Sequence, residues 1–267
     1  ATFGNAAYLP AYLLFSIALA LWQGVESKKR LRYRLFALAG VEVCILLFTA
    51  TCGALFGLVG AIVAGAFIYA LQSGKRGRTI ALGIVLTLAV LAGTFFMVRD
   101  SALVKESLTL SRLSSVFSLQ QELKVRFAIW NTGVQGIVER PLTGYGHEGF
   151  NYVFNKYYDP NMWAQEQWFD RVHNIYLDWL IAGGIPGLLL FLTLFGCASF
   201  ALFRKEFSAV EKVMIAGAFT AYLVQGIVVF DNLFTYVPLA GLLAYIHAKV
   251  SRPFTALQKI PEPQSHM

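Results

Sequence analysis

The chain has 267 residues, of which 57% are apolar and only 14% charged, with a mean hydropathy of +0.59. A water-soluble domain of this length cannot enclose so much apolar surface, so the composition excludes a soluble globular protein and points to an integral membrane protein. The net charge of +7 would suit an acidic partner, but its distribution along the chain gives it another reading.

A bilayer core of about 30 Å takes roughly 20 apolar residues per helix. Seven runs reach or approach that length: 6–22, 35–50, 53–71, 79–98, 185–203, 210–230 and 235–250. The pattern predicts an all-α polytopic membrane protein of about seven transmembrane helices with one large external, periplasmic loop. It divides into a four-span block over 1–98, the loop with interfacial helices over 99–184, a three-span block over 185–252 and a cytoplasmic tail over 253–267.

Lys and Arg in short loops are retained on the cytoplasmic side. Lys28, Lys29, Arg30, Arg32 and Arg34 follow the first run, and Lys75, Arg76 and Arg78 follow the third. Arg204, Lys205 and Lys212 follow the fifth, and Lys249 and Arg252 follow the last. With alternating spans all four clusters share one face, and the polar stretch from residue 99 to 174 falls on the other. That stretch carries eight basic and eight acidic side chains, so the excess positive charge resides in the cytoplasmic loops. The charge therefore reads as topology and contact with the lipid surface, not nucleic-acid binding.

Within the loop, Leu123, Phe127, Trp130, Val134 and Ile137 recur at three- and four-residue steps, which predicts a helix over 120–140 ended by Pro141. Arg126 borders that stripe. A turn-rich segment, Pro141-Leu142-Thr143-Gly144-Tyr145-Gly146-His147-Glu148-Gly149, precedes a short helix over 150–158. Asn174 is a favourable N-cap for a helix beginning at Ile175, and Gly183-Gly184-Ile185-Pro186-Gly187 predicts a break before the fifth crossing.

Chemistry-bearing side chains gather in this loop. His173 stands just before a helix start at the membrane boundary, where a neutral imidazole can accept a proton; the alternative is a capping or packing role. Arg126 and Arg171 can fork onto phosphate oxygens, as can Arg99 and Arg112, whose plainer reading is a solvated or headgroup-facing arginine. His147 and Glu148 form a supporting pair without the spacing of a metal site. Asp231 lies at an external turn, where it either orients a histidine, binds hydroxyls or caps a helix. Glu42 falls inside the second run near its cytoplasmic end, which predicts snorkelling. Cys44, Cys52 and Cys197 have no disulfide or metal spacing.

The run Arg126-x-x-x-Trp130, the turn Pro141-Leu-Thr-Gly-Tyr-Gly-His147-Glu-x-Phe150, His173-Asn174-x-Tyr-Leu177 and Gly183-Gly-Ile-x-Gly187 resemble the O-antigen ligase and polymerase superfamily. Thr2-Phe3-Gly4-Asn5 and Thr49-Ala50-Thr51-Cys52-Gly53 are similar to that family's membrane segments. The resemblance implies a GT-C-like membrane glycosyltransferase at the bacterial inner membrane, with its active side periplasmic. It implies a donor glycan on a polyprenyl diphosphate (undecaprenyl diphosphate) and a hydroxyl acceptor: lipid A-core in ligases, another repeat in polymerases, or a protein. It further implies His173 as base, Arg126 and Arg171 on the diphosphate, His147, Glu148 and Asn174 as further substrate contacts, inversion at the anomeric carbon, and no metal or cofactor. Cys52 stands where the family pattern has Arg. Family members carry about a dozen spans, which predicts that about five precede this chain. The rival readings are a secondary transporter, which calls for polar residues at the bilayer midplane, and an inactive envelope scaffold.

Overall fold

The computed structural model describes residues 7–107, 110–111, 114, 120–163 and 168–251. All regular structure among them is helical. The first block comprises α1 (Tyr8–Glu26), α2 (Lys29–Thr49), α3 (Cys52–Gln72) and α4 (Lys75–Val98). The insert contributes α5 (Ala102–Glu106), α6 (Gln120–Glu139), α7 (Phe150–Lys156) and a single 3-10 turn at Pro160–Met162. The second block comprises α8 (Ile175–Leu202), α9 (Ala209–Gln225) and α10 (Leu233–Ser251). Arg112, the Thr2–Asn5 motif and the tail from 253 lie outside the described residues.

α1, α3, α4, α8 and α10 are each long and apolar enough to cross a bilayer, and the chain is a multi-pass membrane protein. α2 opens on Lys29, Arg30, Arg32 and Arg34, and α9 has 17 residues, so neither reaches the same standard of length and hydropathy. The run expected over 210–230 stops as a helix at Gln225. Beyond it the backbone finds partners elsewhere: the Ile175 N–H donates to the Gly226 carbonyl at 2.8 Å, and the Arg126 guanidinium donates to the Val228 carbonyl at 2.5 Å.

Between helices in lipid there is little hydrophobic drive, so close packing of small residues decides which pairs associate. α3 presents Gly53, Gly57 and Gly60 to α9 and the turn after it. A Cβ at Gly57 would lie 2.9 Å from the Ala221 carbonyl oxygen, and one at Gly53 2.9 Å from Val228 and Val229. A larger residue would separate these helices. On the other flank of α9, Phe191 and Phe195 of α8 pack with Phe219 and Tyr222, the Phe195 and Tyr222 rings stacking at 5.4 Å. Glu42 does not snorkel as expected: it is buried against α1, where Ser16 donates to it at 2.5 Å.

α8 is interrupted at Gly184, whose φ is +64°. Pro186 has no N–H, and the insert turn supplies what the helix lacks. The Tyr145 N–H donates to the Ile181 carbonyl at 2.6 Å, and the Gly146 N–H donates to the Ala182 carbonyl at 3.0 Å. In return the Ile185 N–H donates to the Pro141 carbonyl at 2.7 Å. Residues 141–146 thus stand in for the missing helical turn.

The predicted helices over the insert are present, but α6 buries only part of the stripe its large apolar residues mark: Trp130 and Ile137 pack against the core, and the face beside them is the one most buried. Ile129, Thr132, Gly133 and Gly136 are inside, whereas Phe127, Val134 and Val138 are exposed. The reason is steric: Val153 of α7 and Val172 before α8 sit so close to Gly136 and Gly133 that no Cβ fits.

Candidate active site

The short turn 226–232, between α9 and α10, is where remote parts of the chain converge. The start of α3 reaches it through Gly53, against Val228 and Val229. α6 reaches it through Arg126, anchored on the Val228 carbonyl. The segment before α8 reaches it through His173, whose ring meets Phe230 edge-on at 4.9 Å and Phe169 at 5.7 Å. α1 reaches it through Tyr8, whose ring lies 6.0 Å from Phe230.

His173 holds a left-handed backbone, φ +56°, which is costly for a residue with a Cβ. Its Nδ1 lies 3.0 Å from the Arg171 carbonyl. A carbonyl only accepts, so Nδ1 carries the proton and Nε2 is the basic nitrogen of the neutral ring. Among the described residues the other non-glycine residues with positive φ are Glu148, at +62°, and Ala50, at +47°, two positions before Cys52. All three strained positions therefore belong to, or adjoin, candidate residues.

Asn174 caps α8: its side-chain oxygen accepts from the Tyr176 and Leu177 N–H groups at 3.0 and 3.1 Å. Asp178, one turn on, accepts from the Val172 N–H at 3.2 Å. These three bonds fix the backbone on both sides of His173. Arg171 pairs with Glu148 at 3.2 Å, the carboxylate being largely exposed and the guanidinium largely buried. A small cleft of about 30 Å³ is lined by His147, Arg171, Asp178, Asp231 and Tyr236. Two larger, apolar clefts lie among the spans, away from these residues.

Asp231 accepts from the Tyr222 hydroxyl at 2.8 and 2.9 Å. Burial pushes its carboxyl up to about 6, against the opposing hydrogen bonds of Tyr222, Tyr236 and Thr235 and the charge of Arg171. At the far edge of the turn 141–149, Glu139 accepts from Tyr145, Lys156 and Tyr157 at 2.6–2.7 Å. Those donors, the Lys156 bond first, hold its carboxyl down at about 2. Glu139 thereby ties the end of α6 to the turn that carries His147 and Glu148.

The structure thus gathers His147, Glu148, Arg171, His173 and Asn174 around the start of α8, with Arg126 and the Cys52 turn meeting the same loop. Arg99 is not among them; it pairs with Asp100 and lies over the Phe96 ring. Sequence reasoning did not single out Asp178, Tyr222 and Tyr236. Asp178 had a signal, an acidic residue in a first helical turn. The two tyrosines sit in apolar runs that give none.

The fold and this cluster define a multi-pass helical membrane protein in which Arg126, His147, Arg171, His173 and Asp231 meet around the start of α8 and the 226–232 turn. Residues 35–192 match the family model described as O-Antigen ligase, more than half of the chain. The chain belongs to the O-antigen ligase family, glycosyltransferase-like membrane proteins of polysaccharide assembly. The matched stretch includes Cys52, Arg126, His147, Glu148, Arg171, His173 and Asn174, while Asp231 lies beyond it. Comparison with curated proteins finds no match.

Proposed function

We propose that this protein transfers a glycan from a polyprenyl-diphosphate carrier to a hydroxyl acceptor, lipid A-core in the ligase reaction, at the periplasmic face of the bacterial inner membrane. His173 Nε2 takes the acceptor proton as the acceptor oxygen bonds the anomeric carbon. The bond from that carbon to the diphosphate oxygen breaks with its electron pair leaving on the diphosphate, so the configuration inverts. Arg126 and Arg171 stabilise the charge that develops there, which counts for more in the transition state than in the ground state. No metal is needed for this displacement, because the charge is met by guanidinium groups.

What supports this reading above all is the convergence of Arg126 and His173 on one short turn, from positions remote in sequence. Arg126 spends one donor on Val228 and has others in its fork for phosphate. Arg171 exchanges its exposed partner Glu148 for the ligand. Asp231, with Tyr222 and Tyr236, orients the acceptor or the imidazole. A polymerase or a protein O-oligosaccharyltransferase would use the same groups with another acceptor.

The test is reconstituted transfer from a polyprenyl-diphosphate glycan, offered lipid A-core, a carrier-linked repeat and a peptide hydroxyl. A positioned base supplies about 10² to 10⁴ in rate, so His173→Ala loses that factor while keeping its unfolding temperature. Turnover by a folded His173→Ala chain within a few-fold of normal overturns the assignment. Cys52 begins α3 beside the same turn, so Cys52→Arg adds a guanidinium there and raises the rate; an unchanged rate removes position 52 from the site.

A further inference from the structure

α6 carries three distinct faces. At 3.6 residues per turn, Ile129, Thr132, Gly133 and Gly136 fall together and are packed under α7 and the start of α8. Lys124, Asn131, Gln135 and Glu139 fall along a second, polar edge. Phe127, Val134 and Val138 fall along a third and are 58%, 44% and 74% exposed, while Trp130 at the border of this face packs against the core. Leu142, in the turn just beyond the helix, is 67% exposed.

We propose that α6 lies in the plane of the bilayer surface, with this third face sunk at the boundary between headgroups and acyl chains and anionic phosphates met by Lys124 and Arg140. Three observations select lipid as the occupant. The face is continuous with a membrane contact already present: α6 packs on the first half of α8, which runs through the Gly184 break directly into its crossing. The polar edge lies on one side of the apolar stripe and the packed face on the other, the division an interfacial helix requires. Lys124 and Arg140, both exposed, stand at the two ends of α6 with charge complementary to anionic headgroups, Arg140 also lying over the Tyr145 ring at 4.5 Å. Arg126 lies between the apolar stripe and the packed face, so the helix sets it at the seam where lipid meets the 226–232 turn. This placement does not depend on the transfer reaction.

The test uses the full chain in nanodiscs of phosphatidylethanolamine and phosphatidylglycerol, with the three cysteines replaced by serine. An environment-sensitive fluorophore is attached at Val134→Cys, Val138→Cys or, as a control on the polar edge, Gln135→Cys. Emission from positions 134 and 138 shifts to the blue and is quenched by nitroxide-bearing lipid, whereas emission from 135 is quenched by aqueous iodide. Iodide quenching and an unshifted spectrum at 134 and 138, equal to those at 135, overturn the proposal. So does a blue shift without lipid quenching, which assigns the face to a protein partner. The shift at 134 and 138 is smaller in discs of phosphatidylcholine alone; an unchanged shift overturns the contact of Lys124 and Arg140 with anionic phosphates.

Discussion

At the scale of single residues, the candidate side chains were visible in the sequence and their partners were not. His173, Arg126 and Arg171 stood out as polar groups in an aromatic loop. That Arg126 would anchor on the carbonyl of Val228, 102 positions away, has no local signature. Asp231 illustrates the same limit: its sequence neighbours suggest a cap, and only the fold buries it against Tyr222 and Tyr236. The burial has a measurable consequence. The unfolded chain releases this proton near 3.8, and the folded chain keeps it to about 6. Between those values the native state holds the extra proton, so stability falls as pH rises through the window, at up to about 1.4 kcal/mol per pH unit. Asp231→Asn, which keeps an acceptor for Tyr222, lacks this term. Thermal unfolding across that range then shows the wild type losing ground to Asp231→Asn up to about pH 6 and the gap constant above it.

At the scale of elements, the helix over 120–140, the Asn174 cap and the break near Gly184 were all legible, because caps, prolines and periodicity act locally. The buried face of α6 was not. Large apolar residues advertise burial, yet here the helix packs through Gly133 and Gly136 with Ile129, Trp130 and Ile137, and Phe127, Val134 and Val138 are left exposed. Periodicity reports that a face is apolar and is silent on whether protein or lipid covers it. The α8 break gives a sharp prediction. A Cβ at Gly184 would need φ near +64° and would lie within 2.6 Å of the backbone of Pro141 and Leu142, whereas one at Gly183 meets nothing within 4 Å. Gly184→Ala costs at least about 1 to 3 kcal/mol and lowers the unfolding temperature clearly. Gly183→Ala, one residue away, changes it little.

For the whole molecule, hydropathy located five helices long and apolar enough to cross a bilayer, but run lengths overstated α9, because apolar composition continues past the point where the helix ends. Away from the insert the two last helices are joined by charge. Glu211, which also forms a capping box with Ser208, is buried and accepts from Lys249 and Tyr245 of α10. Lys249→Met leaves that carboxylate without its counter-ion and destabilises the protein by about 1 to 3 kcal/mol. Adding Glu211→Gln restores part of the loss, a coupling that equilibrium unfolding of the four chains measures. The exchange of backbone bonds between residues 141–146 and the α8 break bears on how such proteins can be recombined. Because each partner completes the other's unfinished helix, the insert is not a detachable module. A chimera that grafts the insert from another family member must bring residues 181–187 with it, or both grafted and host segments will be left with orphaned amides.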